Sequence, residues 1–281
     1  MVGINRQYYY RSFWIKKEKQ QKVNQVISLT NDVRSKMPRI GTRKLYFLLR
    51  EPLQEMHIGR DKLFKILKAN NMLIQPKRSY RITTNSHHRF YKHKNLVEDL
   101  VIKRPEQVWV SDITYLGGRD KNCYLALITD AYSKKIMGYD VSNSLATTGT
   151  LRALKMAVKN RMYKDKLIHH SDRGIQYCSD NYQEALSKAN ITPSMTEKYD
   201  PYANAVAERI NGILKQEFFL EEYNIDLSMM KKVVKDAVSI YNDYRPHYSC
   251  HMNTPNKMHR QRKINMRTYK KIKLEELVPP A

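Results

Sequence analysis

Three apolar, β-branched runs follow one another between residues 107 and 142, separated only by short turns at Gly117-Gly118 and at Lys134. The runs 107–116, 122–130 and 135–142 have strand length and strand composition, and their close spacing predicts an antiparallel meander. The pattern then changes. A helix is expected at 147–161, a strand ending just before Asp172, a helix at 179–189, a short strand at 191–195, and helices at 203–218 and 227–242. Strands first, then alternating helices and strands, describe an α/β domain with a mixed sheet flanked by helices.

Three acidic residues fall at informative places in that pattern. Asp112 lies inside the run VWVSDITYL, where a carboxylate loses hydration unless something replaces it. Asp172 follows LIHH and precedes Arg173-Gly174, a strand end entering a turn, where α/β sheets expose functional groups. Glu208 lies in the helix at 203–218, with 35 residues between it and Asp172. At roughly 100° per residue, Val206, Ile210, Ile213 and Leu214 share one helix face, and Asn204, Glu208, Asn211 and Lys215 share the opposite one. A solvated polar face has the same look, but the two upstream Asp residues at strands weigh against that reading. Lys215, two turns beyond Glu208, is placed to hold a phosphate, and Asn204 and Asn211 on the same stripe are expected DNA contacts beside it.

Carboxylates suit hard cations such as Mg²⁺. Two such ions, about 3.5–4 Å apart, activate an oxygen nucleophile and stabilise a leaving oxygen in phosphodiester chemistry. Asp112 is expected to bridge both ions, with Asp172 on one and Glu208 on the other.

The segments QVWVSDITYL, LITDAYSKKIMGYDVS, HHSDRGIQYCS and PYANAVAERINGILKQEF, followed by YNDYRPHYSCHMNTP at 241–255, run in one order from about residue 107 to 255. In these blocks and their spacing the chain resembles the catalytic cores of retroviral integrases and DDE transposases, and most closely the second-frame products of IS-three-family insertion sequences. The resemblance implies an RNase H-like fold, two Mg²⁺ or Mn²⁺ ions, and strand cleavage followed by strand transfer. It implies Asp112, Asp172 and Glu208 as metal ligands and Lys215 as a DNA contact. It also implies transposon-end and target DNA as partners, a homo-oligomer that brings two ends together, and a frameshift fusion with an upstream-frame product. The opening GINRQYYYR resembles an interior segment of such a fusion. Retroviral integrases carry a His/Cys zinc module before the core; here His87, His88 and His93 have no Cys nearby, and no zinc is expected.

Charge points the same way. The net charge is +24, which favours a polyanionic partner. The first 104 residues hold 24 Lys and Arg against 7 Asp and Glu. Within them, residues 5–36 are expected to be mostly helical. Two further helices, carrying Leu45, Leu48 and Leu49 and then Leu63, Ile66 and Leu67, read as a helix-turn-helix around His57-Ile58-Gly59. Arg60, Lys62, Lys65 and Lys68 of the second helix would face DNA; the alternative is a helical hairpin with a solvated basic face. Residues 76–94, basic and studded with Tyr80, Phe90 and Tyr91, read as an extended linker able to track a DNA backbone. The expected organisation is a helix-turn-helix-like module at 1–75, a basic linker at 76–104, the catalytic core at 105–255 and a basic tail at 256–281.

Smaller readings complete the chain. Arg245 is either a DNA contact or the partner of a core carboxylate. Asp130 and Asp140 read as turn caps or solvated groups rather than metal ligands. Residues 196–202 are a polar segment that would order with DNA. Three scattered cysteines, the lack of a signal-peptide core and the lack of an apolar run of about 20 residues suggest a bacterial cytoplasmic protein with no membrane partner. Two other functions share these features: a nuclease of the same fold, and a non-enzymatic DNA-binding regulator derived from the transposase frame.

Overall fold

The computed structural model describes residues 5–75, 91–117, 123–196 and 205–266. The N-terminal helices are α1 (Arg6–Lys36), α2 (Thr42–Leu48), α3 (Arg50–Glu55) and α4 (Arg60–Ala69). The core follows as β1 (Val108–Leu116), β2 (Cys123–Asp130), β3 (Ile136–Ser142), α5 (Thr147–Lys159), β4 (Leu167–Ser171), α6 (Ile175–Cys178), α7 (Asp180–Lys188), β5 (Ile191–Met195), α8 (Ala205–Glu217), α9 (Leu227–Asp243) and α10 (Pro255–His259).

The five strands form one mixed sheet in the order β3-β2-β1-β4-β5. β1, β2 and β3 pair antiparallel, as the closely spaced runs predicted, while β4 pairs parallel to β1 and β5 parallel to β4. The register Ser111↔Ser171 ends the β1–β4 ladder one residue before Asp112 and Asp172, so Asp112 within β1 and Asp172 just past β4 stand at matching positions.

Alternation along the strands divides the core into two layers. Trp109, Ala126, Ile128 and Met137 pack with α5, α6 and α7 residues such as Leu154, Tyr182 and Leu186. Leu116, Leu125, Leu127 and Val141 pack with Ile210 and Leu214 of α8 and Val234 and Tyr241 of α9. Gly138 lets β3 lie against α5: a Cβ there would sit 2.1 Å from the Ala153 carbonyl oxygen.

The N-terminal helices are joined to this second layer. Val26, Leu45, Leu53, Leu63 and Leu67 belong to the same apolar cluster as Leu116, Ile213 and Leu214. One element departs from the expected two-helix reading. The first helix breaks at Leu49 and restarts as α3. Pro52 has no N–H to give the Leu48 carbonyl, so the ladder is interrupted there, whereas a proline is tolerated in the first turn of a new helix. The α3–α4 turn is closed by His57 in the left-handed region at φ 55 and by the Ile58 N–H donating to the Leu53 carbonyl at 2.8 Å.

Candidate active site

Asp112 sits in the middle of β1 on the α8 side of the sheet. Its Oδ1 accepts from the Ile113 N–H at 2.9 Å and its Oδ2 from the Asn211 side-chain amide of α8 at 2.8 Å. Part of its surface remains open to solvent, yet protein atoms crowd it. Burial first, then the nearby Asp172 carboxylate, and last Glu208, push its pKa up to about 7 against the two hydrogen bonds. Asp172 follows β4, half-buried, and accepts from the Gly174 N–H at 3.0 Å, which holds the turn. Glu208 lies exposed in the first turn of α8, where a helix N-terminus favours an acid.

The structure therefore brings Asp112 and Asp172 together and leaves Glu208 on the outer edge of the site. Among the described residues no three His, Cys, Asp or Glu side chains form a group able to hold a metal ion. Residues 197–204, and with them Asn204 and nearly all of the polar segment at 196–202, lie outside the described residues.

The donor chemistry nevertheless fits a divalent, oxygen-seeking cation. The three acids offer hard oxygen ligands only, and the mutual repulsion that raises Asp112 is what a cation would relieve. Asn211 Oδ1 is buried beside Asp112 with no hydrogen-bond partner in the structure, an acceptor that a hydrated ion can satisfy.

The polar stripe of α8 is not a solvated face. Asn211 is only 4% exposed, so its amide is spent on Asp112 rather than offered to DNA. Lys215 is half-buried, with Nζ 3.5 Å from Thr114 Oγ1 and 3.9 Å from Glu221 Oε2. Thr114 is two residues from Asp112 on the same strand face, so the Asn211–Lys215 line of the helix lies along β1.

Arg245 resolves to its second reading. Its guanidinium is buried, 1% exposed, and donates from Nε and Nη2 to the two Glu217 oxygens at 2.7 Å each. A group so enclosed has nothing to offer a phosphate, so the DNA-contact assignment for Arg245 is corrected. Arg60, Lys62 and Lys65 are exposed on α4, opposite the buried Leu63, Ile66 and Leu67. Arg60 meets Asp61 at 2.9 Å in a solvent-exposed pair worth little.

Asp130 is buried and caps its turn, accepting from the Ser133 and Glu106 backbone N–H groups at 2.8 Å. Asp140 is held by Arg152 through Nε at 2.8 Å and Nη2 at 2.7 Å. The three cysteines are free and buried. His87, His88, Tyr80 and Phe90 lie outside the described residues, as does the basic tail from residue 267.

Two residues near the site were not singled out from the sequence. Tyr177 is buried with its hydroxyl unpartnered, its pKa raised by burial first and also by Tyr182, Asp172 and Asp112. His169, beneath Asp172 on β4, meets Ser111 Oγ at 2.7 Å and the Tyr182 hydroxyl at 2.9 Å; burial and His170 hold its pKa down at about 3, so it is a neutral strut. The spacing HHSDRGIQY carries both, but nothing local distinguishes a strut from a ligand.

The sequence has relatives. Residues 102–201 and 189–255 each match an integrase core domain family. The insertion element IS600 uncharacterized 31 kDa protein of Shigella sonnei is 32% identical over 253 residues, covering 88% of this chain and 92% of that one. The transposase InsF for insertion sequence IS3A of Escherichia coli strain K12 is 35% identical over 159 residues, 56% of this chain and 55% of that one. A chain of the simian T-cell lymphotropic virus intasome, solved with PP2A regulatory subunit B56 gamma, superposes with a TM-score of 0.50 at 20% identity over 79% of this chain and 78% of that one, a likeness of fold.

Proposed function

For this chain, which belongs to the IS-three family of insertion-sequence transposases and is a DNA transposase of the polynucleotidyl-transferase class, we propose that Asp112, Asp172 and Glu208 carry the chemistry. The observation behind this is the pairing of Asp112 on β1 with Asp172 just past the end of the neighbouring parallel β4, with Asp112 driven to a pKa of about 7 by burial and by the other two carboxylates. Integrase-like cores generally use divalent metal ions; here the assignment is two Mg²⁺ or Mn²⁺ ions held by these three side chains. Bound metal would lower the pKa of an attacking water and stabilise the departing oxygen.

The chain's own residues do the rest. Asn211 orients the Asp112 carboxylate from α8. Asp172 is held at its turn by the Gly174 N–H. Lys215, loosely held beside Thr114, is a cation available to a phosphate next to the reacting one. The reaction is hydrolysis of a phosphodiester at the transposon end, followed by attack of the freed 3′-hydroxyl on a target phosphodiester. No Ser, Tyr or Cys nucleophile is needed. The exposed Arg60, Lys62 and Lys65 of α4 are assigned to DNA backbone contacts that position the ends. Two ends must meet, so the active species is a multimer of this chain on DNA, acting in the bacterial cytoplasm. Among the described residues no helix is long and apolar enough to cross a membrane. Fusion to an upstream-frame product belongs to the same proposal and would show as stronger joining by the fused protein than by this chain.

The deciding experiment is a Mg²⁺-dependent cleavage and joining assay on the element's own end DNA, with Asp172→Asn alongside. Joined products that disappear in the variant and on chelation are the expected result. Normal cleavage by Asp172→Asn would remove the site assignment. Cleavage without joining would favour a nuclease, and DNA binding without chemistry a regulator.

A further inference from the structure

On the outer flank of α8, next to Glu208, a groove of ≈ 380 Å³ runs between that helix and the start of α2. Arg39, Lys44, Arg209, Gly212, Gln216 and Glu208 are among its walls. It lies on a different side of α8 from the Asn211–Lys215 line, which faces β1. The volume falls within the roughly 300–1,000 Å³ range of small-ligand pockets. Its lining mixes apolar and polar surface and carries three cations, Arg39, Lys44 and Arg209, against the two acids Glu208 and Glu217, which suits a charged occupant.

The charges do not balance within the protein. One carboxylate, Glu217, answers Lys44 at 2.8 Å and both forks of Arg245. Arg209 adds a further positive charge near them on the exposed side of α8, and Lys44 feels it: burial first, then Arg245, with Arg209 also contributing, push the Lys44 pKa down to about 8. Arg39 is fixed at the other end, its guanidinium on the Gln75 carbonyl and 5.7 Å over the Phe219 ring, its N–H on the Glu217 carbonyl at 3.0 Å. The groove itself holds three cations, Arg39, Lys44 and Arg209, against two acids, Glu208 and Glu217, and Glu217 is already shared with Arg245 from outside the groove, so an excess of positive charge is left to meet an anion. The glycines support the same reading. A Cβ on Gly41 or on Gly212 would meet nothing within 4 Å, so both positions leave open space where a backbone can approach closely.

We propose that this groove binds a backbone phosphate of the DNA strand being processed, one nucleotide unit or so from the phosphodiester at Asp112, Asp172 and Glu208. The inference rests on the transposase reading and adds a strand path to it. The N-terminal helices and the catalytic helix then grip the same strand from two sides, and the shared apolar cluster keeps the two walls in register.

The test uses the full chain in the Asp172→Asn background, so that DNA is bound and not consumed. Affinity for end DNA is measured from 50 to 200 mM salt for Arg209→Ala and for Gly212→Phe, with thermal melting to verify folding. Arg209→Ala is expected to weaken binding about 3- to 10-fold and to reduce the slope of log affinity against log salt by about 1, the signature of one lost phosphate contact. Gly212→Phe fills the groove without changing charge and should weaken binding comparably. Gln216→Glu, which places a negative charge in the groove, replaces it if the bulky variant does not fold. Affinity and slope unchanged in both variants would overturn the proposal. Weakening by Arg209→Ala alone would also overturn it, because the charge would then act from outside the groove. Failure of the parent reading looks different: Asp172→Asn would retain cleavage whatever the groove variants do.

Discussion

Asn211 of α8 donates its side-chain amide to Asp112 Oδ2 of β1 at 2.8 Å, linking the helix that carries Glu208 to the strand that carries the first acid. The bond is almost fully enclosed, since Asn211 is 4% exposed. It explains how two residues 99 positions apart are kept in register in the site.

Asn211→Ala should therefore reduce cleavage without unfolding the protein. A hydrogen bond to a charged group contributes roughly 1.5–3 kcal/mol, which corresponds to about 10- to 100-fold in rate if all of it is lost at the transition state. Single-turnover cleavage at saturating DNA is the measurement. Unchanged rates would mean that the contact supports packing only.

The Glu217–Arg245 pair predicts a stability effect. Removing one partner of a buried pair typically costs about 3–5 kcal/mol, so Arg245→Met and Glu217→Gln should both lower the urea midpoint substantially. The pH dependence has a definite sign. Burial opposes ionisation of Glu217, but Arg245 and Lys44 overcome it and hold its pKa down at about 2. A depressed carboxylate contributes stability that is present above its unfolded value near 4.5 and is lost as pH falls toward 2. The gap between the parent chain and Glu217→Gln should therefore be full at pH 7 and shrink below pH 4.5.

His259 predicts the opposite sign. It is buried in α10, with Nδ1 2.9 Å from Ser133 Oγ and Nε2 3.2 Å from Glu106 Oε1. Burial lowers its pKa, yet the bonds to Asp130 and Glu106 outweigh that and raise it above 6.5. Its contribution is complete below pH 6.5 and is lost as pH rises through the raised folded value. Urea midpoints at pH 6 and pH 8.5 should differ in the parent chain, with that difference reduced in His259→Gln.

Gly138→Ala should destabilise by about 1–3 kcal/mol or more, as overpacking does. The added methyl would lie 2.1 Å from the Ala153 carbonyl oxygen and 2.7 Å from the Ala157 nitrogen, both backbone atoms that cannot swing aside. A variant as stable as the parent would mean that α5 can lift off β3 at little cost.

Much of this was legible in one dimension because its causes are local. The apolar, β-branched run VWVSDITYL and the turns at Gly117 and Lys134, both with positive φ, specify strands and where they reverse. The 3.6-residue pattern of Ile210, Ile213 and Leu214 specifies the buried side of α8. Three acids at two strands and a helix specified the chemistry to look for. The break at Leu49 was also written locally, in Pro52, although the apolar spacing concealed it.

What only the tertiary structure decided is the partner of each polar side chain. Helical periodicity put Asn211 and Lys215 on the side opposite the apolar residues, but it cannot say whether that side meets water or a strand; here it meets β1. Arg245 had two equal readings until the fold brought Glu217, the last residue of α8, to the chain just beyond α9. The same holds for the groove at Gly212, whose second wall comes from α2, far away in the chain. Local sequence sets backbone conformation through short-range sterics and periodicity, whereas charge pairing and burial depend on contacts between distant segments, which exist only once the core has closed.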